Sequence, residues 1–250
     1  MITLIMHLYN EEYLLPFWIE HHKNMFDKFI FIDYGCDDNS LNIIKDNILN
    51  HQILKTRNEF FSAKEVDDEV MSIESNIDSW KICLNTTEFL ITSKNLKTIL
   101  NDSDNIYKIN EYGICEKSNT ISNPKTTYEF FQGLKFGSNL NYGYRFIHNL
   151  KSDYTYTLGR HNFISRRNNN NNTDDMFLLH CRFYPWNNNF IKRKLQITEK
   201  ISPENSGLFS AAHHRWSVEI MEEKASEHRR DSFDLTNNSS VRKCFDYHGY

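Results

Sequence analysis

The chain has no apolar run approaching the ~18 residues that a membrane-crossing helix needs, so it carries no integral membrane segment of that kind. It has no C-x-x-C pair either. Its five cysteines, Cys36, Cys83, Cys115, Cys181 and Cys244, are scattered and odd in number, which supports neither a disulfide framework nor a zinc knuckle and fits reduced thiols in a cytoplasmic protein. Positive net charge is also missing: 29 Lys and Arg against 33 Asp and Glu give -4, so no global positive field recommends a nucleic acid partner. The apolar start, Met1 to His7, lacks a basic flank and runs straight into Asn10-Glu11-Glu12, reading as a first β-strand and not as a signal peptide. With no internal repeat and no linker composition, the expectation is one domain over residues 1–235 followed by a tail over 236–250.

Core-forming material is plentiful. Eighteen Phe, 13 Tyr and 4 Trp supply bulk, and the low mean hydropathy of -0.64 comes mostly from 30 Asn. Ile2 to Leu8 reads as a buried strand. Glu11 to Met25 reads as a helix with Leu14, Leu15, Trp18, His22 and Met25 near one face. Phe29-Ile30-Phe31-Ile32 has the unbroken apolar character of a central parallel strand. A turn and helix cap at Asp37-Asp38-Asn39-Ser40 lead into a helix over Leu41 to Leu49. The rhythm repeats in a helix over Lys64 to Ser79 and a strand over Trp80 to Leu84, so the pattern is that of an α/β domain with a mostly parallel sheet. Further on, Ile106 to Ile109 and Met176 to His180 read as short strands, Tyr128 to Arg145 as irregular, the five-Asn run 168–172 as a surface loop, and Ser217 to His228 as an exposed helix.

In an open α/β sheet, ligands bind outside the carboxyl ends of the strands. Here those ends carry Asn10-Glu11, then Asp33 and Asp38, then Asn85-Thr86-Thr87-Glu88-Phe89-Leu90. With His21-His22 in the intervening helix and Trp80 before the last motif, these landmarks over the first 90 residues resemble a GT-A-type glycosyltransferase of the family-2-like group. That group runs Asn-Glu, His-His, Asp-x-x-Ser-x-Asp, Trp, then Asp-x-Asp-Glu-Phe-Leu. The resemblance implies a GT-A-like sheet, a nucleotide-sugar donor (a UDP-sugar by expectation) and a glycan or other hydroxyl acceptor.

It also implies roles for residues. Asp33 would accept from the uracil N–H with Asn10, Glu11 and Asp38 beside it, although Asp and Asn at such a place also cap the next helix. His21 and His22 read better as packing residues than as ligands. In the related enzymes the Asp-x-Asp carboxylates hold manganese or magnesium against the diphosphate. Asn85 and Thr87 occupy those positions here, leaving Glu88 as the charged member. A divalent cation would therefore be weakened, and three readings stay open. Glu88 with a histidine, His161 or His180, holds a weak metal; or basic side chains such as Arg160 hold the diphosphate directly; or the chain binds sugar nucleotide or glycan without turnover. His213, His214, Arg166, Arg167, Arg193 and Lys194 are further candidates for a phosphate-facing surface, and Tyr184 and Trp186 for stacking on an acceptor sugar. For the acceptor's proton, Glu111, Glu116, Glu129 and Asp153 are available, with Glu116 preferred by its place after the strand at Ile106. A nucleotide-dependent enzyme of other chemistry, such as a sugar-nucleotide pyrophosphorylase, is disfavoured because no Gly-rich loop followed by Lys or Arg stands near the first strand.

Overall fold

The computed structural model describes residues 1–100, 106–118, 122–165, 170–201 and 216–250, with only the backbone path given at 141–143 and 170–172. In chain order the first part is β1 (Ile2–Leu8), α1 (Leu15–His22), β2 (Lys28–Asp33), α2 (Ser40–Asn47), β3 (His51–Lys55), α3 (Ala63–Glu74) and β4 (Trp80–Cys83). The second is β5 (Glu88–Thr92), α4 (Leu96–Ile99), β6 (Ile106–Cys115), α5 (Thr127–Gly133), β7 (Phe136–His148), β8 (Tyr154–Tyr156) and β9 (Phe163–Ser165). The chain finishes with β10 (Asn170–Phe183), α6 (Asn188–Gln196), α7 (Val218–Arg230), β11 (Phe233–Asp234) and α8 (Ser239–His248).

A central sheet runs in the order β3-β2-β1-β4-β7-β6-β10-β5, with β11 added to β7. Strands β3, β2, β1 and β4 are parallel to one another, as the βαβ rhythm demands, and β10 lies parallel to β6. Strand β7 enters antiparallel between β4 and β6, and β5 closes the far edge antiparallel to β10. The result is the expected single α/β domain with helices on both faces of the sheet.

The period-2 alternation of β1 and β2 explains the two cores. Leu4, Met6, Leu8, Phe29 and Phe31 point into the larger one with Trp18 of α1, Phe130 and Phe131 of α5 and Phe245 of α8. Ile5, Ile30 and Ile32 point the other way, onto Val66 and Val70 of α3. His21 and His22 are buried in this packing: His22 donates Nδ1–H to the Trp18 carbonyl and accepts from Leu90 N–H, while His21 Nε2 lies 2.7 Å from the Leu90 carbonyl.

Several expectations give way. Residues 128–145 are not irregular but form α5 and most of β7. Their glycines mark close packing: a Cβ at Gly137 would sit 2.3 Å from the Gly113 carbonyl oxygen of β6, and one at Gly133 only 2.1 Å from the Tyr184 ring. The tail expected over 236–250 is instead a 3-10 turn followed by α8, capped by Asn238 and buried through Val241, Cys244 and Phe245, with Tyr250 stacked 3.9 Å from Phe131. The short strands expected at 106–109 and 176–180 are parts of the longer β6 and β10. Of the five-Asn run, 168 and 169 lie outside the described residues, while the backbone of 170–172 pairs with β6 as part of β10 and is not a loop. Edge strand β3 was not anticipated; His51–Lys55 carries two apolar residues in five.

Candidate functional site

The carboxyl ends of β1, β2 and β4 open on one side of the sheet onto a cleft of about 530 Å³, closed by α6 and by the 3-10 turn Leu158–Arg160 after β8. Its rim is built from the β1 and β2 loops. Asn10 holds a left-handed backbone (φ 51°); its Nδ2 donates to Asp37 Oδ1 at 2.6 Å and its Oδ1 accepts from Asp37 N–H at 3.0 Å. Asp38 accepts from Glu12 N–H and, at the start of α2, from Ser40 N–H. Asp33 Oδ1 accepts from Gly35 N–H and Cys36 N–H, closing the turn after β2. The polar residues at these two strand ends thus lace two loops together, and Asn10, Asp33 and Asp38 do not line the cleft itself. Glu11 does line it. Its carboxylate is paired with both Arg193 Nε and Arg193 Nη2, which ties α6 across the end of β1.

The floor is built from residues far apart in sequence. Glu88, the first residue of β5, is fully buried and accepts four hydrogen bonds: from Asn85 N–H and Nδ2–H at 2.9 Å each, and from Arg145 Nε at 3.1 Å and Nη2 at 2.5 Å. Burial alone would raise its carboxyl, but Arg145, aided by His180 and these donors, outweighs that and holds it well below the usual carboxylate range. Arg145 Nη1 reaches on to the Gly159 carbonyl and to His161 Nδ1 at 3.2 Å. Beside it, Arg160 (φ 60°, buried) places Nη1 2.7 Å from Asp67 Oδ1 and Nη2 3.2 Å from Asn85 Oδ1, while its Nε is buried without a partner. Asp67 also accepts from Gly159 N–H, so α3 holds the turn that presents Arg160. Thr87 is buried on the cleft wall, and Thr86 Oγ1 lies 3.4 Å from Arg193 Nη2.

The third group is Glu111 of β6 with His180 of β10, Nδ1 to Oε1 2.5 Å. Burial would raise the Glu111 carboxyl, but His180 pulls it below its ordinary value, so the carboxylate accepts and the imidazole Nδ1–H donates. The ring's other nitrogen, Nε2, belongs to a side chain that lines the cleft and is 24% exposed. Of the carboxylates available for proton transfer, Glu111 faces the cleft and Glu116 does not. Glu116 accepts from Trp186 N–H behind the wall, and burial pushes its carboxyl up to about 7. Glu129 bonds Lys125 N–H at the start of α5, and Asp153 is exposed beyond β7. The preference for Glu116 is therefore replaced: β6 runs on to Cys115, which carries Glu116 past the opening.

Glu88, Glu111 and His180 each bring one ligand atom to within 4.8 Å of the others, the one such group among the described residues. They fit a resident divalent cation poorly. Hard cations need anionic oxygens, and Glu88 is saturated by Arg145 and Asn85. Glu111 keeps one oxygen, Oε2, uncommitted, and His161 has its Nδ1 turned to the Arg145 guanidinium. The Arg145 guanidinium already supplies a fixed positive charge beside Glu88.

Sequence reasoning missed Arg145, His7 and Asp67. His7 of β1 lines the cleft with Tyr34 and Phe61, ring centroids 6.3 and 5.7 Å away, and burial with Arg160 nearby lowers its pKa to about 3. The signal for Asp67 was an acid inside the apolar stripe of α3, buried between Val66 and Val70. Arg145 sat in a stretch read as irregular, so nothing pointed to it. Arg166, Arg167, His213 and His214 lie outside the described residues. Tyr184 is buried against Phe130, and Trp186 is partly buried beside Phe183 and Phe190.

No protein-family model matches the chain, and no curated protein matches it. Among solved structures, S. aureus TarS (residues 1–349) in complex with UDP is 14% identical over 50% of this chain and 38% of its own, TM-score 0.34. Glucosyl-3-phosphoglycerate synthase from Mycobacterium tuberculosis with Mn2+, UDP and glucosyl-3-phosphoglycerate is 11% identical over 45% of this chain and 43% of its own, TM-score 0.32. The mannosyltransferase PcManGT from Pyrobaculum calidifontis with GDP-Man and Mn2+ is 10% identical over 54% and 38%, TM-score 0.33. Each alignment spans less than half of the neighbour's length, and likeness at this level says nothing of what this chain binds.

Proposed function

We propose that this chain is a glycosyltransferase that moves a sugar from a nucleotide sugar, a UDP-sugar by preference, to a hydroxyl of a glycan or similar acceptor. The observation that carries the reading is the cleft at the carboxyl ends of three parallel strands. It brings together an aromatic wall, a cationic side and a buried carboxylate–imidazole pair. A flat base suits the wall formed by His7, Tyr34 and Phe61, with Asn10, Asp33 and Asp38 holding the rim loops that frame it. The diphosphate suits the α6 side, where Arg182 and Lys194 line the cleft beside Arg193.

In the transfer step the acceptor oxygen bonds to the anomeric carbon as the carbon–oxygen bond to the diphosphate breaks. The bonding electrons leave on the nucleoside diphosphate, and the acceptor's proton passes to His180 Nε2, whose imidazolium Glu111 stabilises. Asn85, Thr87 and Glu88 act here as framework: Glu88 fixes Arg145, and Asn85 joins Glu88 to Arg160. A divalent cation in this cleft would be weakly held, with one uncommitted carboxylate oxygen to meet it.

The test is release of UDP from a panel of UDP-sugars with and without simple glycan acceptors, comparing wild type with Glu111→Gln. The reading predicts acceptor-stimulated release that falls at least about 100-fold in the variant, the usual scale for removing general-base assistance, while UDP binding persists. Binding without release by the wild type would favour the second reading, a sugar-nucleotide-binding protein without turnover, to which the loss of both motif acids at Asn85 and Thr87 points. No binding of any nucleotide sugar would end both.

A further inference from the structure

The described cations of the cleft fall into two sets. Arg145, Arg160 and Arg193 are held by carboxylates: Glu88, Asp67 and Glu11 respectively. Arg182 and Lys194 have no carboxylate partner among the described residues, yet both line the cleft. They are brought together deliberately by the fold. Lys194, on the inward side of α6, donates Nζ–H to the backbone carbonyl of Arg182 at 3.0 Å and rests its ammonium over the Phe183 and Phe190 rings, 5.2 and 5.5 Å from their centroids. The Glu11–Arg193 pair fixes that helix at the end of β1, so Lys194 is not a loose surface lysine. On the floor, Arg160 is committed through Nη1 to Asp67 and through Nη2 to Asn85, and its side chain is 4% exposed.

We propose that Lys194 and Arg182, from the α6 side, hold the diphosphate of the donor in place of a divalent cation. The inference rests on the nucleotide-sugar reading and deepens it by assigning how that site takes its anion. A divalent ion needs anionic oxygens to hold it and would then hold the diphosphate. Here the motif acids are replaced by Asn85 and Thr87, and the remaining acid, Glu88, is bound on both oxygens to Asn85 and Arg145. The cleft thus supplies positive charge through the protein itself. Guanidinium groups suit this work because their charge is permanent and their forked donors match phosphate oxygens. Crowding among like charges is relieved when the anion arrives: burial, then Arg193 and Arg182, lower the Lys194 pKa to about 7, and a bound diphosphate would restore its proton.

The experiment is titration calorimetry of the full chain with UDP, once in EDTA and once in manganese chloride, for wild type, Lys194→Met and Arg182→Met, with inorganic pyrophosphate as competitor. The proposal predicts wild-type affinity equal in the two buffers, pyrophosphate competition, and about tenfold weaker binding in each variant, the scale of one charge-assisted hydrogen bond. Circular dichroism melts of the two variants check that the fold is kept; they remove unpaired charges, so both are expected to melt near wild type. Binding that appears only with manganese overturns the metal-free clamp and leaves the nucleotide-sugar reading standing. Binding in EDTA that neither variant weakens also overturns it. No UDP binding in either buffer rejects the underlying reading as well.

Discussion

The rim and the floor of the cleft use charge in opposite ways. On the rim, short polar side chains at two neighbouring strand ends, at most 27 residues apart, lace two loops largely through backbone N–H groups: Asn10 to Asp37, Asp38 to Glu12 and Ser40, Asp33 to Gly35 and Cys36. On the floor, arginines reach carboxylates 57 and 93 residues away, as Arg145 does to Glu88 and Arg160 to Asp67. The rim bonds are partly solvated and individually modest. The floor pairs are dry, and removing one partner strands a charge. The difference teaches that acids in the motif positions need not be ligands: at the rim they hold shape, and at Glu88 the acid fixes a cation.

The contrast is sharpest in Arg145→Ala. It leaves Glu88 buried without its counter-charge, and about 3–5 kcal/mol of stability should be lost, the usual cost of breaking a buried pair. Urea unfolding followed by tryptophan fluorescence reads this; a loss near 1 kcal/mol would put floor and rim on a par. Next in size is the pH dependence of UDP affinity. Because Lys194 has a pKa lowered to about 7 by burial and by Arg193 and Arg182, its ammonium is lost as pH rises through 7 in the free protein. Binding favours the protonated form, so affinity should fall by about tenfold between pH 7 and pH 9, and calorimetry should find a much flatter profile in Lys194→Met. A flat profile in the wild type would remove Lys194 from the anion site.

Smaller still is Asp38→Ala at the rim. Loss of the bonds to Glu12 N–H and Ser40 N–H should cost about 1 kcal/mol, the scale of a helix cap, in the same urea measurement. The smallest effect belongs to Lys23→Ala, which removes an exposed pair with Glu20 on α1. Its midpoint should coincide with wild type, because exposed pairs are screened; a clear shift would mean that surface charge matters more here than either cleft region suggests.

Strands β1, β2 and β4 of the parallel half were legible in the sequence because they are buried and mostly apolar, and the helices between them show their stripes, whereas edge strand β3, with two apolar residues in five, was not. The rim was legible for the same reason: its residues are contiguous with those strand ends. The floor was not. Arg145 acts through register on β7, and a strand with glycines at 137 and 143 looks irregular until its partner β6 is known to need the close approach at Gly137. Glu111 was in view as one of four acids, but choosing it over Glu116 needed the length of β6. Helix α8 could have been found: Val241, Cys244 and Phe245 stand at helical spacing, with Asn238 as cap and Gly249 at the end in a left-handed conformation.

In the proposed reading, the cleft at the ends of β1, β2 and β4 is the nucleotide-sugar site. A crystal structure of the chain with UDP, grown in chelating buffer, tests it most directly. The base is expected against Tyr34 and Phe61 and the diphosphate within hydrogen-bonding distance of Lys194 or Arg182. UDP bound elsewhere on the molecule, or none at saturating concentration, would contradict it.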